Sequence, residues 1–236
     1  MENVGDNINA ENASWNFGND VSESFDRHVK RSVPLYTEGQ DLILKISDYF
    51  LQQDSLVYEL GTATGELLYK LSSYNNKTGI RFIGIDKEES MIEEAKKKCR
   101  NDGRVSFETA EIMQYPFEKC DMILSYYTIQ FIHPKFRQEI FHRIFESLNW
   151  GGAFLLFEKV RAPDARFQDM MTGLYMDYKR DKGFSNDEIL SKSRSLKGIL
   201  EPFSTGANYE MLERAGFKDM MTVMKYVSFE GILAIK

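Results

Sequence analysis

Three acids stand at or just beyond the ends of apolar runs: Glu59 in Leu56-Val57-Tyr58-Glu59-Leu60, Asp86 closing Arg81-Phe82-Ile83-Gly84-Ile85-Asp86, and Glu111 after Val105 to Ala110. Val57, Tyr58 and Leu60 suit a buried strand. The small-residue loop Gly61-Thr62-Ala63-Thr64-Gly65 follows, and Glu66 to Leu71 then has helical spacing. A strand, a tight turn and a helix make the half-unit of a doubly wound α/β fold. Glycine permits positive φ and lets a ligand approach the main chain. The helix start behind the loop offers unpaired N–H groups to an anion. An acid at the end of the second strand, Asp86, can accept both hydroxyls of an adenosine ribose. The loop lacks the Gly-x-Gly-x-x-Gly form, which argues against a nicotinamide-dependent dehydrogenase.

Proton transfer has three candidates, His133, His28 and Glu158. His133 follows the fourth strand, where open α/β sheets bind ligands, and reads either as a base or as a helix start before Pro134. His28 reads as a base or a packing histidine, and Glu158 as a site residue or a structural one. Tyr175 and Tyr178 either line an acceptor pocket or sit in a core. Arg194 either pairs with an acceptor carboxylate or is solvated.

The elements that must position these groups follow in order. Residues 1–14 are polar and predicted to be mobile. The aromatic-bearing segment 15–36 reads as a packing helix or as a flap over a ligand, and a helix is expected over Gly39–Leu51. After Asp86 comes a helix with acids early and lysines late, matching the helix dipole. Strands are expected at Val105–Glu111, Asp121–Tyr127 and Ala153–Val160, with Asn149-Trp150-Gly151-Gly152 as a turn before the last. A helical insertion over 161–204 covers the mouth of a site, and two closing strands form an antiparallel edge hairpin.

A chain of 236 residues with 42% apolar residues suits one sizeable domain, here 15–236. Net charge of −6 argues against nucleic acid as a partner. Cys99 and Cys120 have neither metal-ligand nor disulfide spacing, which fits a reducing cytoplasm and no metal. No run has the length of a membrane span. The oligomeric state is left open, with a homodimer allowed.

Glu59 to Gly65, the turn Leu148-Asn149-Trp150-Gly151-Gly152, and Ala215-Gly216-Phe217 together resemble the class I S-adenosylmethionine-dependent methyltransferases. Ala63 and Trp150 replace a glycine and a proline usual there. Within that superfamily, Arg31 to Tyr36, Thr128-Ile129-Gln130-Phe131, Glu158-Lys159 and Tyr178-Lys179-Arg180 through Gly183-Phe184-Ser185 are similar to the carboxy-S-adenosylmethionine synthase family. Tyr126 stands where that family has Asn, and Arg194-Ser195 lies one position out of register with its Arg-Ser pair.

The resemblance implies a Rossmann-like seven-stranded sheet of order 3-2-1-4-5-7-6, with S-adenosyl-L-methionine as cofactor. It implies that Glu59 with Gly61, Thr62, Ala63 and Gly65 holds the methionine end, Asp86 with Lys87 the ribose, and Glu111 with Ile112 the adenine. Tyr36 and Tyr126 would close the sulfonium side, with Arg31, Tyr127, Tyr175, Tyr178 and Arg194 toward the acceptor. The first expectation is methyl transfer to a small-molecule acceptor. The alternatives are carboxy-S-adenosylmethionine synthase activity using prephenate, and a non-catalytic cofactor-binding module.

Overall fold

The computed structural model describes residues 2–6, 8–18 and 21–236. Met1 and Asn7, within the segment expected to be mobile, and Asn19 and Asp20, within the expected flap, lie outside the described residues. Strands β1 (Glu2–Asn3) and β2 (Asn9–Ala10) pair as a short antiparallel hairpin. Val4 and Ile8 are buried there, two apolar anchors in a polar stretch that was expected to stay mobile. Helices α1 (Val21–Ser32) and α2 (Tyr36–Ser47) lead into the sheet. The second begins and ends a few residues before the expected Gly39–Leu51, because Leu35 takes a left-handed turn with φ 55°.

Then come β3 (Leu56–Leu60), α3 (Glu66–Tyr74), β4 (Arg81–Asp86), α4 (Glu89–Cys99), β5 (Val105–Thr109), β6 (Cys120–Tyr126), α5 (Pro134–Ser147) and β7 (Leu148–Lys159). The chain closes with α6 (Ala165–Asp181), α7 (Asn186–Ser195), α8 (Thr205–Ala215), β8 (Asp219–Tyr226) and β9 (Phe229–Ile235). The sheet runs β5-β4-β3-β6-β7-β9-β8, the expected order. β5 to β7 are parallel, while β9 is antiparallel to β7 and to β8. Asn149 to Gly152, expected as a turn before the fifth parallel strand, falls instead inside β7. Gly151 there has φ 79°, Trp150 is 89% exposed, and the pairing with β6 shifts between Cys120 and Met122.

Every residue of β3 is buried, as a central parallel strand requires. Val57, Phe82, Leu124 and Phe157 point to one face, packed with α2, α3 and α4; Tyr58, Ile83, Ile123 and Phe154 point to the other, packed with α5 and α8. Burying each such side chain stabilises the fold by about 1.5–3 kcal/mol. The parallel strands therefore end together along one rim.

Candidate functional site

At that rim the glycine loop turns over the end of its neighbour strand. The Gly61 and Thr62 amides donate to the Ile85 carbonyl at 2.8 and 3.0 Å. The Ala63 amide donates to Asp86 Oδ2 at 2.9 Å, and the Glu88 amide to Asp86 Oδ1 at 3.0 Å. Gly61 has φ 68°, and a Cβ placed on it would lie 2.3 Å from the Thr128 methyl, so only glycine fits. Gly65 also has positive φ, and a Cβ there would meet Phe107 and Ala95.

A cavity of about 1210 Å³ opens from this loop. Gly61, Ala63, Asp86, Lys87, Glu111 and Ile112 line one end. Tyr36, Tyr126 and Tyr127 form its middle wall, with ring centroids 4.9 to 6.2 Å apart. The Tyr126 hydroxyl donates a very short bond to the Tyr36 carbonyl. Tyr127 has φ 63°, unusual for a bulky residue, and its buried hydroxyl has no partner among the described residues. Residues of α1, α6 and α7 complete the cavity.

Several expected site residues do not reach this cavity. Glu59 lies behind the loop, where its Oε2 accepts the Thr62 hydroxyl at 2.6 Å; burial pushes its carboxyl up to about 8. Glu59, Thr62 and Gly65 therefore shape the loop from within rather than line it. Arg31 donates to Asp6 and to the Lys182 carbonyl, and its guanidinium lies 4.3 Å over Phe184; it joins chain segments rather than facing the cavity. Tyr178 stacks on Tyr175 and meets Tyr226, also outside. Arg194 is 48% exposed and lies 4.0 Å from Glu2. It sits two residues from Lys192, about 200° around the same helix, so Lys192 faces in and Arg194 faces out.

The three proton-transfer candidates separate as well. His28 lines the cavity, but its Nδ1 is 3.0 Å from Asp6 and its Nε2 3.4 Å from the Ser32 hydroxyl; burial and then Lys192 push it down to about 4. His133 lies at the exposed rim and caps α5, accepting from the Lys135 amide at 3.3 Å. Glu158 is buried outside the cavity, pushed up to about 8 by burial, with Oε1 unpartnered among the described residues. Tyr175 does line the cavity, and its hydroxyl donates to the Ser32 carbonyl at 2.8 Å.

Residues not foreseen as site groups also line it. Trp15, Phe17 and Phe131 form an aromatic corner, and Thr128 and Gln130 follow the fourth parallel strand. Lys159, Lys179 and Lys192 enter from β7, α6 and α7. In the sequence Lys159 and Lys179 stand out only within the stretches Glu158-Lys159 and Tyr178-Lys179-Arg180 that carry the family resemblance, and Lys192 has no such mark.

S-adenosyl-L-methionine fits this donor set. The loop presents only the small residues Gly61 and Ala63 to the cavity, a carboxyl stands at the strand end, and tyrosine faces suited to a cation flank the middle. The described residues include no group of three or more His, Cys, Asp or Glu able to hold a metal, and among them no helix is long and apolar enough to cross a membrane.

Comparison with known proteins agrees. Residues 57–152 match the profile of the family described as methyltransferase domain. The chain is 35% identical over 223 residues to a carboxy-S-adenosyl-L-methionine synthase of Campylobacter lari, covering 94% of each chain. It is 33% identical to the protein of the same name from Staphylococcus epidermidis, covering 94% of this chain and 97% of that one. A solved SAM-dependent methyltransferase from Methanosarcina mazei superposes with a TM-score of 0.60 at 17% identity, over 81% of this chain and 96% of that one, a likeness of fold. With the fold, the loop and the full-length relatives in agreement, the chain belongs to the class I S-adenosylmethionine-dependent methyltransferase family, alongside the carboxy-S-adenosyl-L-methionine synthases.

Proposed function

We propose that this chain transfers the methyl group of S-adenosyl-L-methionine to a small-molecule acceptor. The observation that carries the reading is one continuous cavity running from the glycine loop and Asp86 to the inner faces of α6 and α7. One end suits an adenosyl group, and the other leaves room for a second reactant beneath a helical cover. Asp86, with Lys87 at the rim, would hold the ribose, Glu111 and Ile112 the adenine, and the Gly61–Ala63 backbone the amino-acid end. Glu59 and Thr62 would keep that backbone in place. The sulfonium supplies an already activated methyl group.

Alignment is then the main task of the protein. Tyr36, Tyr126 and Tyr127 would exclude water between the two reactants. Where the acceptor must lose a proton, His133 at the rim is the remaining histidine candidate, since burial and Lys192 keep His28 neutral and its Nδ1 is taken up by Asp6. Two buried free cysteines fit a reducing cytoplasm. The exposed Phe167, Met170 and Leu174 on α6 fit a homodimer contact.

A second reading, carboxy-S-adenosyl-L-methionine synthase, is favoured by the names of the full-length relatives. Against it, Arg194 points away from the cavity and Tyr126 takes the place of the family's Asn. Purified chain is incubated with S-adenosyl-L-methionine and a metabolite extract, and separately with S-adenosyl-L-methionine and prephenate, and products are weighed. An acceptor heavier by one methyl group supports methyl transfer. A cofactor heavier by one carboxyl group overturns it in favour of the second reading. Cofactor binding without either product leaves a non-catalytic binding module.

A further inference from the structure

The turn that would face the adenine has little of its own to hold it. It follows β5, a strand at one edge of the sheet, in which only Phe107 is buried. None of Ile112, Met113 and Gln114 is buried. At its start, the Ala110 amide donates to the Asp86 carbonyl at 2.9 Å. At its end, Tyr115 and Phe117 pack edge-on against Tyr58, with ring centroids 5.8 and 5.3 Å from it. Between these anchors lie Glu111, Ile112, Met113 and Gln114, all of which line the cavity.

Arg143 reaches that stretch from α5, from outside the cavity. Phe141 and Ile144 beside it are buried in the core and hold this part of the helix against the sheet. The Arg143 guanidinium donates to the Ile112 carbonyl at 3.3 Å, and also to the Met113 and Tyr115 carbonyls. Its central carbon lies 5.4 Å from the centre of the Phe117 ring. A rigid fork of donors can fix several acceptors in one geometry, which a lysine ammonium on a flexible stem does less well. A peptide unit is planar and trans, so a carbonyl turned toward Arg143 turns the next amide the opposite way. Arg143 thereby sets how the peptide groups of this turn face.

We propose that Arg143 is a positioning residue for purine selectivity: by holding three carbonyls of the turn, it keeps Glu111 and Ile112 in the arrangement that tells adenine from hypoxanthine. The inference rests on the reading that Glu111 and Ile112 take the adenine, and names a residue behind the cavity wall on which that reading's selectivity depends. Adenine offers an exocyclic amine as donor beside a ring nitrogen as acceptor. Hypoxanthine reverses both, with an oxo acceptor beside a ring N–H. A carboxylate next to a backbone amide matches the first edge and opposes the second, and an opposed pair leaves polar groups unmade. That discrimination requires a turn of fixed shape.

S-adenosyl-L-homocysteine and S-inosyl-L-homocysteine are the probes, titrated by calorimetry into wild type, Arg143→Lys and Arg143→Met. Wild type is expected to prefer the adenosyl ligand by at least about tenfold. Arg143→Met should lower that preference about tenfold, by weakening the adenosyl ligand while the inosyl ligand changes less than threefold. Arg143→Lys, which keeps the charge and loses the fork, should fall between. Asp86→Ala is the contrast and should weaken both ligands by the same factor. Deuterium exchange without ligand should speed at the amides of residues 111–115 in both variants. A preference equal to wild type in both variants, or equal weakening of both ligands, or unchanged exchange, would overturn the proposal. Should Arg143→Met melt too low to titrate, Arg143→Lys decides: a preference equal to wild type overturns the proposal, a reduced one supports it. Wild type that binds both ligands equally would sink the adenine placement and the proposal with it; faster exchange in the variants would then mark the failure as one of ligand placement rather than of the Arg143 contacts.

Discussion

Asp86 accepts the Ala63 amide at 2.9 Å, so the acid ending one strand holds the loop that ends its neighbour. The same carboxylate also accepts the Glu88 amide at 3.0 Å. One residue thus sets the shape of the loop and offers its remaining lone pairs to the cavity.

Substituting Asp86→Ala removes both functions. Calorimetry with S-adenosyl-L-methionine is expected to show affinity reduced at least tenfold, as a lost charge-assisted pair of bonds requires. Equal binding by wild type and variant would place the cofactor elsewhere.

Gly61→Ala puts a methyl group 2.3 Å from the Thr128 side chain, at a backbone φ of 68°. Thermal melting should report a loss of about 1–3 kcal/mol, from strain and the forced shift of Thr128. Adding Thr128→Ser removes the methyl in the way and should recover part of the loss. A single variant as stable as wild type would refute the tight contact.

Glu158 is pushed up to about 8 by burial, with Arg137 and nearby backbone groups opposing that push. Its folded-state value lies above the unfolded one near 4.5, so the folded chain binds the extra proton between those values. Stability therefore falls as pH rises from about 4.5 to about 8, then levels. Glu158→Gln removes this group's share, leaving that of Glu59. The variant should match wild type near pH 4.5 and exceed it above pH 8 by on the order of 2–4 kcal/mol. Denaturant titrations at the two pH values check this.

His28 moves the opposite way, down to about 4, first through burial and then through Lys192. Nuclear magnetic resonance of its ring should show a neutral imidazole from pH 8 down to pH 5. Stability contributed by this group should fall only as pH drops from about 6.5 toward 4, because the unfolded chain takes up the proton first. Titration of the ring near 6.5 would mean that its burial and the nearness of Lys192 do not persist in solution.

The strands, the glycine loop and the three acids could be read from the sequence because each leaves a local mark, whereas the sheet order followed from the family resemblance. Val57, Tyr58 and Leu60 carry the strand pattern, Gly61 and Gly65 bracket the turn, and Asp86 sits one residue past Ile85. The direction in which side chains point leaves no such mark. Thr62 turns back to Glu59 rather than out to the cavity, and that depends on how the loop folds over Ile85. Arg194 was singled out for its charge, yet Lys192 and Lys179 occupy the inward positions, because helix phase is set by packing, Lys192 of α7 over Trp15 and Tyr175 of α6 against Ser32 and Phe229. A buried lysine breaks the apolar period by which an inner face is recognised, so the pattern hides the lysines that line the cavity beneath α6 and α7.

Asp6 accepts from Arg27 and Arg31 and meets His28, so one carboxylate near the beginning of the chain latches three residues of α1. Through Arg31 the latch extends to the Lys182 carbonyl at the end of α6. The N-terminal hairpin and the far insertion are thereby tied to one another through α1. Trimming residues 1–6 would strip α1 of this clasp while Tyr175 still reaches the Ser32 carbonyl from α6.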